Sequence, residues 1–156
     1  PIMIDQGLAL GTAAGIAGFR GFSQLFGRVG VIPIAARHEA SLALKISYLL
    51  AAFGSLFILG GNLWLGLIYG VLVGSSLGAS TPLQALYAQD TFEPEDLGLL
   101  MGLQHSVFAV AGAAGPVVAG FAADTAESQS PTVWISVCSL FAAAFLLRKK
   151  KTQTPD

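Results

Sequence analysis

Residues 63–86 read LWLGLIYGVLVGSSLGASTPLQAL, and this glycine-rich apolar stretch decides the fold. Gly66, Gly70, Gly74 and Gly78 recur at every fourth position, which makes one continuous strip without side chains on an α-helix. In water, each interior glycine would cost a helix about 1 kcal/mol relative to alanine. In lipid, backbone hydrogen bonds hold the helix, and small residues at this spacing let a second helix approach closely. We therefore predict a transmembrane helix whose glycine strip, these four residues, contacts another helix.

The composition is that of an integral membrane protein. Hydrophobic residues make up 54% of the 156 residues and charged residues 11%, against about 25% charged residues in soluble domains. No charge occurs between Lys45 and Asp90. The net charge of −1 comes without a basic face, so the bilayer and not nucleic acid is the expected partner.

The motifs of enzymes and metal proteins do not occur in the sequence. Cys138 is the one cysteine, which excludes an internal disulfide and a cysteine-based metal site. We find no nucleophile–base arrangement, no metal-ligand spacing and no phosphate-binding loop. The sequence therefore predicts neither an enzyme nor a cofactor or a metal.

Five apolar segments fit an all-α, polytopic membrane bundle of five transmembrane helices over residues 1–147. The segments are 7–27, 42–59, 63–86, 97–122 and 132–147. Each approaches or exceeds the ~17–25 residues that a spanning helix needs, although the fifth is slightly short. A basic tail follows at 148–156.

The basic residues fall on one side of this bundle. If every segment spans, seven of the eight Lys and Arg residues lie on the same face, and the eighth, Arg20, is inside the first segment. By the positive-inside rule, the loop that contains Gly27, Arg28 and Arg37 is cytoplasmic, and so is the C-terminus. We expect a bacterial cytoplasmic (inner) membrane.

The fourth segment contains a second cluster of small residues around a proline. Gly112, Gly115, Pro116 and Gly120 lie in AGAAGPVVAGF. Because proline removes a backbone donor and clashes with the preceding turn, a kink is expected near Gly112. This kink is either a packing feature or a gating hinge.

Few polar residues lie within the predicted spans, and four of them are candidates for a substrate path: Arg20, Gln24, Gln104 and His105. Arg20 lies roughly 10 Å inside the first segment, where it faces an aqueous path, reaches to the interface, or pairs with another helix. His105 is expected to make an interhelical hydrogen bond, or alternatively to act as a ligand or proton relay.

Three pieces of the chain resemble the C-terminal half of a major facilitator superfamily transporter, from its eighth span to its twelfth. They cover the loop after the first segment, the end of the third segment with its following loop, and the close of the fourth segment. In order, they are LFGR and IAAR at 25–28 and 34–37, TPLQA and FEP at 81–85 and 92–94 with 98–102, and GP at 115–116 with Gly120 and Asp124. Ala36 stands where the family's loop usually has Asp.

The resemblance implies two pseudo-symmetric six-helix bundles that bind a small solute between them and expose it to alternate sides by rocking. This chain would be part of the second bundle, and the missing N-terminal half of the same transporter would be its partner. Arg20 and Gln24 would then border the path, and Arg20 favours an organic anion as substrate.

Two other classes of protein fit the same residues. One is a small homo-oligomeric membrane transporter or channel whose protomers pair through the glycine strip. The other is a membrane scaffold without a transport role.

Overall fold

The structure is a computed structural model that describes residues 2–35 and 37–147, without the side chain of Ile34. A short helix, α1 (Ile2–Asp5), precedes five long ones. These are α2 (Leu10–Ala35), α3 (Ala40–Leu56), α4 (Leu63–Thr91), α5 (Pro94–Ala126) and α6 (Ser130–Leu146). No strand occurs in the described ranges, which confirms the predicted all-α fold. The predicted basic tail at 148–156 lies outside the described residues.

Length and hydropathy identify three candidate membrane spans among the described helices. They are Ala40–Gly60, Leu63–Thr91 and Pro94–Ala126. The α6 helix is apolar and has 17 residues, which is the lower limit for a span. The 26-residue α2 is long enough, but its glycines and polar residues lower its hydropathy. The chain is therefore a polytopic helical bundle with three candidate spans and a shorter apolar helix among the described residues.

The α4 helix lies at the centre, with α2 and α3 packed against it, and α3 also packs against α6. One small core joins Val31, Leu44 and Leu83 of α2, α3 and α4. A second joins α3 to α6. The α5 helix is bound loosely, since 6% of its span is buried inside the bundle, against 39% for α3 and for α4.

The first span predicted at 7–27 differs from the observed helix. Gly7 has a left-handed backbone (φ +90°) before the helix begins, and α2 continues to Ala35. Gly27 and Arg28 therefore lie in the helix and not in the predicted loop, which starts after Ala35 and contains Arg37. Gly27 had suggested a helix end, but it is buried within α2, where the lack of a side chain lets the backbone of α4 approach.

The joins between α3, α4 and α5 are short. After α3, a 3₁₀ turn (Phe57–Gly60) leads to Gly61 in the left-handed conformation (φ +66°). The Asn62 side chain then caps α4, accepting a hydrogen bond of 2.9 Å from the backbone N–H of Leu65. Only residues 92–93 separate α4 from α5, because Pro94 starts α5 and the carboxylates of Glu95 and Asp96 favour its first turn.

Candidate functional site

A cavity of about 720 Å³ lies between the long helices, and each helix contributes to its wall. Arg20 of α2, Ser55 of α3, Tyr69 of α4, Pro116 of α5 and Ser136 of α6 are among the lining residues. We call this space the central cavity. It brings Arg20, the one charge predicted to lie within a span, together with residues of all five long helices.

Arg20 is the only charged residue among the described residues that line the central cavity. Its guanidinium carbon lies 5.9 Å from the centroid of the Tyr69 ring, within the range of a cation–π contact. Its Nε is buried and has no hydrogen-bond partner in the described part of the chain. The side chain thus carries a positive charge and a donor that these residues leave unsatisfied.

The backbone of Arg20 is positioned by the glycine strip. A Cβ on Gly70 would lie 3.6 Å from the Arg20 backbone N, and a Cβ on Gly74 would overlap the Arg20 carbonyl oxygen. The Gly74 Cβ would also lie 2.8 Å from Ser23 Cβ. Because real Cβ atoms do not approach as closely as the one at Gly74 would, that position requires glycine if α2 is to keep its place on α4, whereas a Cβ at Gly70 would make an ordinary van der Waals contact with the Arg20 backbone.

The two ends of the strip show the same close approach to α2. A Cβ on Gly66 would lie 2.6 Å from the Ile16 side chain, and a Cβ on Gly78 would overlap the Gln24 carbonyl oxygen. The strip is therefore covered by α2 of the same chain. This arrangement leaves no strip surface for the predicted pairing of protomers and gives that alternative no support.

Two serine hydroxyls of the cavity wall are bonded within their own helices, whereas Thr132 Oγ1 of α6 donates to the Ala119 carbonyl oxygen of α5 at 3.3 Å. Ser55 Oγ donates to the Ala51 carbonyl oxygen at 2.7 Å, and Ser136 Oγ donates to the Thr132 carbonyl oxygen at 3.0 Å. Since each hydroxyl has one proton, its oxygen offers a ligand an acceptor. The wall therefore combines one fixed cation with hydroxyl acceptors, a set that suits an anion carrying hydrogen-bond donors.

The other predicted path residues do not line this cavity. Gln24 is half-buried, and its backbone carbonyl lies against Gly78. His105 is exposed, and its Nδ1 lies 2.9 Å from the carbonyl oxygen of Met101, one turn earlier in α5. In the described chain the Nδ1 of His105 turns back along its own helix, and the expected interhelical bond of His105 stays a prediction.

Gln104 belongs to a polar chain that sequence reasoning missed. Its Nε2 donates to Gln84 Oε1 at 3.1 Å, and Gln84 Nε2 donates to Tyr48 Oη at 2.7 Å. Three helices, α3, α4 and α5, are linked in this way. The signal in the sequence is Gln84 itself, a polar residue inside an apolar span.

The small residues of α5 have a different environment from the glycine strip. A Cβ on Gly112, Gly115 or Gly120 would meet no atom within 4 Å in the described chain. Pro116 lies inside a helix that is continuous from Pro94 to Ala126, and it lines the central cavity. The kink and the gating role of these residues remain predictions.

The comparison with known families decides the class of the protein. A model described as the Major Facilitator Superfamily matches residues 1–156, which is the whole chain. The chain belongs to the Major Facilitator Superfamily. No curated protein and no solved structure matches it.

Membership of the Major Facilitator Superfamily agrees with the all-helical bundle and with its apolar spans. The superfamily is one of transporters, so this chain is an integral membrane protein of the transport class. Within that class, the central cavity with Arg20 in its wall is the candidate functional site.

Proposed function

We propose that this chain works as part of a secondary active transporter that moves a small organic anion across the membrane by alternating access. The observation that carries the proposal is Arg20, a charge on the wall of the central cavity whose Nε has no partner among the described residues. The proposed role of Arg20 is to bind the negative group of the solute.

The argument rests on the free energy of a cation in the bilayer. A central arginine costs at least about 2.5–3.5 kcal/mol on insertion scales, so a cation at depth is retained when something compensates it. Tyr69 offers a cation–π contact, worth about 0.5–2 kcal/mol, which offsets part of this cost. Since no carboxylate lines the central cavity within the described residues, the remaining compensators are an anionic solute, cavity water and an acid from the N-terminal half, and the proposal takes the solute.

The bundle is proposed to work against the N-terminal half of the same transporter. The exposed apolar side chains of α5, such as Leu103, Phe108 and Val117, support this partner. A helix with 6% of its span buried has a large surface for lipid or for a second bundle. Rocking between two bundles around a solute site is the mechanism by which transporters of this architecture alternate access.

The proposed orientation places the Arg37 loop and the C-terminus in the cytoplasm of a bacterial cell, because the basic residues gather at those positions. Single cysteines introduced into the full-length protein test this orientation. A cysteine at Ala88 should be shielded from an impermeant thiol reagent in intact cells, whereas one at Ser128 should be labelled. The reverse pattern would contradict the orientation.

Transport in proteoliposomes tests the function. In the full-length protein, Arg20→Gln should preserve folding, because it removes a costly charge, but should abolish uptake or efflux of a radiolabelled organic anion. Arg20→Lys should restore only part of the activity, because a guanidinium can bind a carboxylate through two hydrogen bonds and an ammonium binds as a point charge.

A thermal-stability assay of the same variants identifies other roles for Arg20. Full transport by Arg20→Gln would show that Arg20 serves only to reach the interface. A collapse of stability in Arg20→Gln would indicate a structural ion pair with an acid elsewhere in the full-length protein.

A further inference from the structure

A groove runs along α4, between α2 and α3. Both helices pack on α4 but contact each other little, and this leaves a space of about 490 Å³ between them. We call this space the lateral groove. Residues of α4 such as Val71, Ser76 and Leu83 form its floor, and Phe26 of α2 and Leu50 of α3 lie along its sides. No described residue lines both the lateral groove and the central cavity, so the two are separate sites.

The lateral groove is open, and its wall is apolar. Phe26 is 62% exposed and Leu50 is 45% exposed, so the described chain does not cover the space between them. His38 is the one ionisable residue among the described lining residues, and the other polar side chains of the wall are three serines. The groove therefore suits an apolar chain and offers a charged solute no counterion along its length.

The lateral groove is about as deep as one leaflet of a bilayer. Its floor runs from Val71 to Leu83, which is about 18 Å at ~1.5 Å per residue, and half of a ~30 Å hydrocarbon core is about 15 Å. Leu83 packs with Val31 and Leu44, close to the loop between α2 and α3, and His38 lies in this loop. The groove therefore extends from a mouth at His38, at the membrane surface, to about the middle of the bilayer.

The mouth of the lateral groove lies in a basic segment. Residues 28–45 include three Lys or Arg residues and one acidic residue, Glu39, whose carboxylate accepts a hydrogen bond from the Ser41 hydroxyl at 3.4 Å. Arg37 directly precedes His38, and both are exposed. A guanidinium and an imidazole N–H both donate hydrogen bonds to phosphate oxygens. We propose that the lateral groove binds one acyl chain of an anionic phospholipid, whose phosphate lies at Arg37 and His38.

The polarity along the lateral groove changes as it does along a phospholipid. The donors for a phosphate lie at the mouth, and the apolar floor continues below them for one leaflet. In the central cavity the cation Arg20 lies at depth instead, where it suits a solute. Basic residues at a membrane surface favour anionic lipids by about fivefold for each Lys or Arg. The lateral groove is therefore a lipid site, and it goes beyond the transport function without depending on it.

Photolabelling by phospholipids tests this site. The full-length protein is placed in nanodiscs of phosphatidylcholine that contain a small fraction of either phosphatidylglycerol or phosphatidylcholine, each with the same diazirine-bearing acyl chain. After illumination, mass spectrometry of peptides compares the labelling of Leu50 in the groove with that of Val29, which is 69% exposed on α2 and does not line the groove. Because the ratio of these two labels is compared between lipids, the intrinsic reactivity of each side chain cancels.

The ratio of Leu50 to Val29 labelling should be about fivefold higher with phosphatidylglycerol than with phosphatidylcholine, because Arg37 holds the anionic phosphate at the mouth. The double variant Arg37→Gln/His38→Gln should bring the two lipids to the same ratio. Arg28→Gln is the matched control, since it removes an exposed cation of α2 that does not line the groove. The difference between the lipids should remain in Arg28→Gln.

Filling the lateral groove is a second test. Gly30 lines the groove, and a Cβ there would meet no atom within 4 Å, so Gly30→Leu adds a side chain to the groove without displacing α2 from α4. It should lower the labelling of Leu50 by both lipids. A Cβ on Gly21 would also meet no atom within 4 Å, but Gly21 does not line the groove, so Gly21→Leu should leave this labelling unchanged. Gel filtration identifies any variant that has not folded, and the loop variants remain if Gly30→Leu fails.

Equal ratios for the two lipids in the unaltered protein would overturn the lipid site, and so would a preference for phosphatidylglycerol that survives the loss of Arg37 and His38. No labelling of Leu50 by either lipid would overturn it as well, since another part of the full-length protein or a second copy would then cover the groove. Because none of these measurements depends on transport, a selective lipid site in a protein that carries no organic anion would reject the proposed function and keep this inference.

Discussion

The glycines of α4 and the glycines of α5 have opposite surroundings. Added Cβ atoms on Gly66, Gly74 and Gly78 would collide with the side chains or the carbonyl groups of α2. Added Cβ atoms on Gly98 and Gly112 would meet nothing within 4 Å, and the same holds for the other glycines of α5. At the glycines of α4, atoms of α2 occupy the space that a side chain would fill. At the glycines of α5, this space is open within the described residues.

This difference shows what a glycine pattern can and cannot predict. Small residues at every fourth position create a surface that another helix can approach, because the backbone there carries no ridge. The pattern does not say whether the approaching helix belongs to the same chain. For α4 the partner is α2. For α5 the space around the glycines is empty within the described residues, which is why the second bundle is proposed as the partner of that face.

The largest effect is expected at the centre of the glycine strip. Gly74→Leu would place a side chain where the Arg20 carbonyl group lies, so α2 and α4 would have to separate. Overpacking of a core costs about 1–3 kcal/mol, and a clash with backbone should exceed that range because the backbone cannot change rotamer. We expect a large loss of folded full-length protein in mild detergent, measured as the monodisperse fraction after gel filtration.

Val71→Ala is the matched control for Gly74→Leu. Val71 lies on the same helix, and 43% of its surface is exposed. Its truncation should leave the monodisperse fraction close to that of the unaltered protein. A similar loss of the monodisperse fraction in Val71→Ala and Gly74→Leu would contradict the special role of the glycine strip, because the position on α4 would then not matter.

A smaller effect is expected from the polar chain that links α5 to the rest of the bundle. Gln84→Leu removes both of its bonds, to Gln104 and to Tyr48. A hydrogen bond between membrane helices is worth about 0.6 kcal/mol on average and ~1.7 kcal/mol at most, so a loss of about 1 kcal/mol is expected. Because so little of α5 is buried, the change should appear as faster amide hydrogen exchange in α5 than in α2.

His105→Leu is the matched control for Gln84→Leu. It removes a polar side chain from α5 whose hydrogen bond stays within its own helix. Exchange in α5 should then remain as in the unaltered protein. Equal acceleration by the two variants would mean that the polar chain does not hold α5.

The sequence predicted the class of fold, the central position of residues 63–86 and the position of Arg20 as a charge within a span. These features follow from composition and from spacing along one helix. The contact between Arg20 and Tyr69 could not be predicted, because it depends on the register in which α2 lies on α4. The extension of α2 past Gly27 was missed for a related reason, since a glycine that ends a helix and one that admits Ser75 of α4 look the same in a sequence.

The smallest effect is expected at Gly112 of α5, and it sharpens the contrast with the strip. Alanine is favoured over glycine in a helix by up to about 1 kcal/mol, and a Cβ at this position meets no atom within 4 Å in the described chain. Gly112→Ala should therefore leave the thermal stability of the full-length protein unchanged or raise it slightly, in a melting curve recorded in detergent. Gly74→Ala, which adds the same single carbon to the strip, should lower it. A clear loss of stability in Gly112→Ala would mean that this face of α5 is packed against another helix as closely as the strip is. In that case the difference between α4 and α5 would lie only in which part of the full-length protein supplies the neighbour.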